Sequence, residues 1–173
     1  MTTLAYFPYH RAVESNPMDI ALACAKVLTV NLNTYRLSLL SGDFISTDTI
    51  NCFLSFLIGL FGGRIDQTIA NILLLTREEW SDIDMIILNG HETAHMMREN
   101  RSLTLSGKVG DIVSLIPLSP NVFVNETHGL RWQLIDTQMF FGTTLGISNE
   151  MIEDYCQIHI GVGNLMVIHT NVP

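Results

Sequence analysis

Five consecutive residues near the middle of the chain have the types and spacing of a zinc-peptidase motif. His91, Glu92 and His95 match the pattern His-Glu-x-x-His in the segment HETAH. On a helix, the two histidines lie on one face and can bind Zn²⁺, while the glutamate activates a water molecule. Candidates for a third ligand are Glu99, Glu126 and His128. This segment makes a zinc-dependent metallopeptidase one alternative function.

The three cysteines are the second group that could carry chemistry. Cys24, Cys52 and Cys156 are widely spaced, and no Cys-x-x-Cys pair indicates a zinc knuckle or a redox motif. Reduced thiols inside a cell are therefore expected. Cys156 is predicted to be a small buried hydrophobic residue. Cys52 lies near the start of a predicted helix, where the helix dipole lowers the pKa of a thiol.

In the first half of the chain, the sequence pattern predicts that helices position these residues. Apolar residues recur at helical spacing, and Pro, Ser, Thr or Gly stand where such helices begin or end. The predicted helices contain MDIALACAKVL after Pro17, INCFLSFLIGLF between Thr47 and Gly62, IDQTIANILLL, and MIILNGHETAHMM after a capping box at Thr76.

The second half has the pattern of short strands separated by turn residues. The predicted strands are LTLSG, DIVSLIPL, NVFVN, RWQLID, QMFFG and GNLMVIHT, with one short helix, MIEDYCQI, before the last of them. Helices first and strands later predict an α+β fold.

The segment Leu37–Leu57, LSLLSGDFISTDTINCFLSFL, resembles the opening helix of the ubiquitin-like-protein-specific cysteine proteases. Phe44 stands where that family usually has Trp, and Thr47 stands where it has Asp. Ile50, Asn51 and the pair Phe53-Leu54 fit its pattern in register. An aromatic residue would anchor a capped helix whose apolar face packs under the catalytic sheet.

Later segments occur in the order that the same family requires. DIVSLIPL is similar to the strand before the catalytic His, LRWQLID to the strand after it, and QMFFGTTLG to the phrase that carries the catalytic Asp. The predicted helix Asn149–Cys156 follows. The resemblance implies a papain-like cysteine-proteinase fold of the SUMO protease and adenovirus protease type over residues 35–173, after an extension, 1–34, with one helix.

The resemblance assigns the catalytic roles to His128, Asp136 and Thr143. His128 would accept the proton of the nucleophilic thiol. Thr143 stands in the place of the Asp that orients it, and Asp136 could replace Thr143 only if the hairpin register shifts. The family places a Gln and an Asp-Cys-Gly box after a strand like GNLMVIHTNVP, and no cysteine of this chain follows such a box. The enzyme is thus expected to be incomplete or inactive.

Two further interpretations stay open. Asn51-Cys52-Phe53-Leu54 also resembles the nucleophile site of papain-type viral leader proteases. Alternatively, the domain keeps the protease fold without catalysis and binds a ubiquitin-like protein. The leading function is a cysteine-type peptidase that removes SUMO or a related modifier, whose partner is that modifier or its conjugates, with no cofactor and no bound metal.

Composition limits the other possibilities. With a net charge of −8 and nine Lys and Arg among 173 residues, the chain has no basic run, which argues against nucleic-acid binding. The longest apolar run, Cys52–Phe61, is about ten residues, whereas a transmembrane helix needs about 20. The N-terminus does not have the pattern of a secretory signal. An intracellular protein of the nucleus or cytoplasm is expected.

Overall fold

The computed structural model describes residues 26–31, 36–40, 54–58 and 65–173. The chain divides into two units, Met1–Asn89 and Gly90–Pro173. The predicted boundary after residue 34 is not tested, because residues 32–35 lie outside the described part.

The first unit has a mixed sheet with strand order β4-β3-β1-β2. Strand β1 pairs antiparallel with both β2 and β3, and β3 pairs parallel with β4. Parallel strands require a crossover connection, which here contains a helix. The elements are β1 Lys26–Asn31, β2 Arg36–Leu40, β3 Leu54–Ile58, α1 Ile65–Leu74, a 3-10 helix Glu78–Trp80, and β4 Asp84–Asn89.

Helix α1 confirms the helix predicted from IDQTIANILLL. Asp66 lies in its first turn, where a carboxylate interacts favourably with the helix dipole. Asn71 and, just after the helix, Leu75 are buried, while Ile69 and Leu73 are exposed.

The second unit consists of antiparallel strands in two sheets. The strand orders are β10-β7-β12-β5 and β6-β11-β8-β9. The elements are β5 Glu92–Met97, β6 Arg101–Ser106, β7 Ile112–Pro117, β8 Asn121–His128, β9 Ile135–Phe140, β10 Gly146–Glu150, β11 Tyr155–Val162 and β12 Leu165–Thr170.

One hydrophobic core joins these two sheets. Along β7 the side chains of Val113 and Leu115 are buried and alternate with half-buried neighbours, as expected for a strand with one face in a core. The same cluster includes Ile158 and Ile160 from β11 and Val167 from β12. Residues of both sheets therefore interdigitate, which is the packing of a β-sandwich.

Three predicted helices are wrong, because their residues form strands. LSFLI is β3, MIILNGHETAHMM contains β4 and β5, and MIEDYCQI contributes the start of β11. Short apolar runs fit a buried strand and a helix face equally well, and pairing with neighbouring strands decides between them. Of the helix predicted after Pro17, the described residues 26–28 lie in β1, and the rest lies outside the described part.

Four of the strands predicted in the second half are confirmed. LTLSG, DIVSLIPL, NVFVN and GNLMVIHT correspond to β6, β7, β8 and β12. RWQLID and QMFFG were predicted as two strands, but a single strand, β9, runs across their junction.

The predicted papain-like fold is wrong. Its helical first half is not formed in residues 54–58, 84–89 and 92–97, which are strands. The helix expected at Asn149–Cys156 is replaced by the end of β10, a turn and the start of β11. Of the segment Leu37–Leu57, residues 41–53 lie outside the described part, and residues 54–57 belong to β3. Among the described residues, no helix is long and apolar enough to cross a membrane.

Candidate functional site

An exposed tryptophan follows the end of β8. The side chain of Trp132 is 58% exposed, although the residue is fixed by hydrogen bonds on both sides of its main chain. Large exposed aromatic rings on a rigid support are typical of binding sites. Together with Arg131, Asn149 and Glu150, it forms what we call the Trp132 site.

Backbone pairing holds the two segments of this site together. The amide of Arg131 donates to the carbonyl of Glu150 at 2.8 Å, and the amide of Ile152 donates to the carbonyl of Gly129 at 2.9 Å. Leu130 and Met151 form an antiparallel bridge between them, and both side chains are fully buried. The site is therefore anchored directly in the core.

The side chain of Asn149 fixes the main chain of the tryptophan. Its Oδ1 accepts the amide of Trp132 at 3.1 Å and the amide of Glu150 at 2.9 Å. Its Nδ2 donates to the carbonyl of Trp132 at 2.7 Å. Asn149 is 4% exposed, so these bonds replace water for groups that would otherwise be left unsatisfied.

Two charges of opposite sign lie beside the ring. Arg131 Nη2 is 3.0 Å from Glu150 Oε1, and the guanidinium carbon lies 5.8 Å from the centroid of the Trp132 ring. This is the geometry of a cation–π contact. The face of the ring thus accepts a planar cation, with a carboxylate close by.

The turn before Asn149 is held in a conformation that is unusual for a residue other than glycine. Ser148 has a φ of 57°, and its amide donates to Ser114 Oγ at 3.0 Å. The register of the β10–β7 pair shifts between Gly146 and Asn149. Such backbone conformations cost free energy and are common at binding sites, where the surrounding structure maintains them.

A second polar cluster lies inside the second unit. Asp111 Oδ2 is 3.0 Å from His169 Nε2 and accepts the amide of Lys108, and Oδ1 accepts the amide of Val172 at 3.1 Å. Burial alone would raise the pKa of the Asp111 carboxyl group. The two amides and His169 outweigh that effect, and the pKa lies below its ordinary value of 3.8.

His95, on β5, lies near this pair, and its pKa is lower than the ordinary 6.5 because of burial and the neighbouring His169. Between the lowered value and 6.5, the unfolded chain binds more protons than the folded one, so acid favours unfolding. We expect the free energy of unfolding to decrease from about pH 7 to about pH 5. The variant His95→Gln should have a smaller decrease in urea titrations at both pH values. His91→Gln, at an exposed position, serves as control; a pH dependence unchanged in His95→Gln would contradict the prediction.

The residues predicted to be catalytic do not meet. His128 stacks on Tyr155 with ring centroids 5.7 Å apart, and its Nε2 is 4.0 Å from Glu153 Oε1. Thr143 follows β9, and its hydroxyl donates to the carbonyl of Phe140 at 2.8 Å.

The strand pairing shows how far apart they are. Phe140 pairs with Asn121 at the beginning of β8, whereas His128 is at the end of that strand. Seven residues of strand span about 23 Å. Asp136 is exposed on β9 with a φ of 45°. The catalytic role of these three residues stays a prediction that has not been tested.

The HETAH segment does not form the helix that a zinc peptidase needs. Glu92 and His95 are in β5, and His91 is in the turn before it. Four residues along a strand span about 13 Å, whereas residues four apart on a helix are about 6 Å apart. In residues 65–173 and the three described strands before them, no cluster of three His, Cys, Asp or Glu residues suits a metal ion.

The cysteine predictions have different outcomes. Cys156 is completely buried, as predicted, although it lies in β11 rather than in a helix. Burial raises the pKa of its thiol to about 11, so it is not a nucleophile near neutral pH. Cys24 and Cys52 lie outside the described residues.

The sequence-based reasoning missed Trp132 and Asn149. They are 17 residues apart, and only the pairing of segments 129–132 and 149–152 brings them together. The available signal was a tryptophan next to an arginine in the segment Gly-Leu-Arg-Trp, which the strand prediction included in RWQLID.

The part of the chain that contains this site matches a known protein family. Residues 98–167 match the family model described as thiamin pyrophosphokinase, vitamin B1 binding domain. The matched range lies within the second unit and includes the whole Trp132 site.

Several proteins described as thiamin pyrophosphokinases are similar to this chain. Thiamine pyrophosphokinase 1 of Oryza sativa subsp. japonica is 29% identical over 104 residues, which cover 58% of this chain and 39% of the relative. The thiamine pyrophosphokinase structure from Bacillus subtilis has a TM-score of 0.58 at 24% identity, covering 66% of this chain and 54% of that one. For the yeast structure, the TM-score is 0.53 at 22% identity, with 65% and 38% covered. The chain thus spans between two fifths and about half of the length of these relatives, and the structural likeness shows their fold.

These findings overturn the sequence-based identification. The resemblance to the ubiquitin-like-protein proteases is wrong, and with it the predicted cysteine peptidase, its SUMO-type partner, the zinc peptidase and the modifier-binding module. The physical reason is that short apolar segments in a given order are shared by many folds, whereas the pairing of those segments differs.

Proposed function

We propose that this chain binds thiamin through the Trp132 site and is related in function to the thiamin pyrophosphokinases. The observation that carries the proposal is the match of residues 98–167 to the vitamin B1 binding domain of that family. The site lies inside the matched range, on the exposed side of the second unit's core.

The chemistry of the site suits this ligand. Thiamin consists of a positively charged thiazolium ring and an aminopyrimidine ring, and both are flat. Trp132 offers an exposed aromatic face, and the Arg131 guanidinium occupies it in the manner of a planar cation. Glu150 supplies a negative charge next to that face. A thiazolium ring would replace the arginine over the tryptophan, and because the bound ring excludes water from this face, its cation–π attraction would exceed that of the exposed arginine.

Transfer of a pyrophosphoryl group is the second part of the proposal. A pyrophosphokinase takes this group from a nucleotide such as ATP and passes it to the hydroxyl group of thiamin. In this proposal the Trp132 site binds the acceptor, and transfer additionally requires contacts to the nucleotide. The two functions are separable, so they are tested separately.

The test of the proposal is titration of the full chain with thiamin by isothermal calorimetry. We expect saturable binding, and weaker or no binding of the neutral aminopyrimidine half of the molecule. Formation of thiamin diphosphate from ATP and thiamin, followed by chromatography, tests the transfer. Absence of thiamin binding at millimolar concentrations would overturn the proposed function.

The variant Trp132→Ala is expected to weaken thiamin binding about tenfold. A desolvated cation–π contact is worth about 2 kcal/mol and the exposed arginine contact that it replaces about 0.5–1 kcal/mol, and 1.4 kcal/mol corresponds to a factor of ten. Trp132→Phe should retain part of the affinity because it keeps an aromatic face. Trp80→Phe, in the first unit, is the matched control for the other tryptophan of the chain. Equal dissociation constants for Trp132→Ala and the wild type would show that the ring is not the binding surface.

A further inference from the structure

A buried carboxylate and a buried histidine meet inside the second unit. The side chain of Asp111 is 1% exposed and that of His169 is 6% exposed, with Oδ2 and Nε2 3.0 Å apart. Burying such a pair costs desolvation free energy, and an apolar pair of similar volume is often at least as stable. Its position in the hydrogen-bond network suggests a use beyond stability.

The main chain of Asp111 is bound to the strand that carries the site. The amide of Met151 donates to the carbonyl of Asp111 at 2.8 Å, and the amide of Gly110 donates to the carbonyl of Met151 at 2.9 Å. Met151 directly follows Glu150, whose carbonyl accepts the amide of Arg131. Met151, whose amide binds Asp111, is therefore the direct neighbour of Glu150, whose carbonyl binds Arg131.

Side-chain packing couples the same groups. A Cβ atom added at Gly107 would lie 2.7 Å from Asp111 Oδ2, 2.9 Å from Met151 Sδ and 3.0 Å from His169 Nε2. The carboxylate, the thioether and the imidazole thus surround the position of a Cβ atom at Gly107, and no space for a side chain remains there. The side chain of Met151 therefore lies close to the Asp111–His169 pair, and in a densely packed interior a shift of the pair is transmitted to its neighbours.

The pair also holds the end of β12. Asp111 Oδ1 accepts the amide of Val172, and His169 lies on β12 opposite Val113 of β7. Asp111 therefore joins three segments. Its carboxylate binds the turn after β6 and the residues at and just after the end of β12, and its carbonyl binds Met151. Loss of the carboxylate charge would loosen the first two directly, and Met151 through the main chain of Asp111.

We propose that Asp111, through its pairing with His169, is a positioning residue for the Trp132 site. It fixes Met151 and so sets the place of Glu150, Arg131 and Trp132 relative to the ligand. For thiamin as the ligand, this inference rests on the proposed function. Its structural part, the coupling from Asp111 to the amides of Arg131 and Ile152, does not depend on it.

The first experiment measures that coupling without ligand. Amide hydrogen exchange of Arg131 and Ile152 is followed by NMR in the wild type and in Asp111→Asn. We expect their exchange to be at least about tenfold faster in the variant. Val122→Ala, at a completely buried position of β8, is the control for a general loss of stability. Unchanged exchange in Asp111→Asn, or the same acceleration in Val122→Ala, would overturn the inference.

The second experiment measures thiamin binding. Asp111→Asn is expected to raise the dissociation constant about tenfold, and the effect should be absent in a Trp132→Ala background, because both changes act on one contact. A merely structural role would give additive effects, and that outcome would overturn the inference. If wild-type protein does not bind thiamin, the proposed function fails, while the exchange experiment still decides the coupling.

Two variants at His169 keep the test informative if Asp111→Asn fails to fold. In His169→Gln, an amide nitrogen can take the place of Nε2, whereas His169→Leu removes the donor. Fast exchange at Arg131 and Ile152 in His169→Leu, restored in His169→Gln, is the expected result. Equal exchange rates in the two variants would contradict it.

Discussion

Gly129→Ala is expected to lower the free energy of unfolding by about 4 kcal/mol. Gly129 has a φ of 73°, a conformation that costs other residues roughly 1 kcal/mol or more. A Cβ atom at this position would also overlap the carbonyl oxygen of Tyr155 and lie 3.1 Å from Cys156 Cα. Because those atoms belong to the main chain of β11, they cannot move aside as a side chain does, and overpacking of this kind costs about 3 kcal/mol.

Chemical unfolding in urea measures this loss, and Gly142→Ala provides its control. Gly142 also has a positive φ, 84°, but no atom lies within 4 Å of an added Cβ. The control should therefore lose only the conformational part, about 1 kcal/mol. Equal losses for the two variants would show that the close approach to β11 is not what requires glycine at position 129. Thiamin binding should also weaken in Gly129→Ala, because a displaced main chain at position 129 disturbs the hydrogen bond from the Ile152 amide to its carbonyl.

Asn149→Ala is expected to cost about 3 kcal/mol of folding free energy and to abolish measurable thiamin binding. The change removes the partners of the Trp132 amide, the Trp132 carbonyl and the Glu150 amide. Each buried group left without a partner costs about 1–3 kcal/mol, and water can reach some of them in the variant. The main chain at Trp132 would then no longer be fixed relative to Glu150.

A more conservative change separates stability from positioning. Asn149→Asp retains the acceptor for the two amides and loses only the donor to the Trp132 carbonyl, so its effects should be smaller than those of alanine. Asn121→Ala, at an exposed position of β8 whose Oδ1 accepts a 3.4 Å bond from Gln138, is the control. Calorimetric titration and urea unfolding are measured for all three variants. Affinity that is equal in Asn149→Ala and Asn121→Ala would contradict the proposed role.

Four strands of the second unit, β6, β7, β8 and β12, could be predicted because their sequence pattern reports directly on one buried face. In DIVSLIPL, Val113 and Leu115 point to the core, and the residues between them do not. The helices predicted over HETAHMM and MIEDYCQI were wrong for a reason that no local pattern reveals. Both segments have apolar residues that satisfy helical spacing as well as strand alternation, and their hydrogen-bond partners lie far away in the chain.

The candidate site was less predictable than these four strands. HETAH predicted a zinc site because its spacing suits a helix. Most of the segment forms β5, where the same spacing does not bring the two histidines together. Trp132 and Asn149 did not stand out, because neither belongs to a short motif. Their significance comes from three hydrogen bonds and one exposed ring, which exist only after segments 129–132 and 149–152 have paired.

By itself, the sequence determined that β6, β7, β8 and β12 are strands, that α1 is a helix and that Cys156 is buried. These outcomes depend on hydrophobic periodicity and burial, which are local properties of the chain. Only the tertiary structure decided that Asp111 faces His169 and that Asn149 holds Trp132. Those contacts join residues 58 and 17 positions apart, and the strand register that aligns them is set by the packing of both sheets around one core.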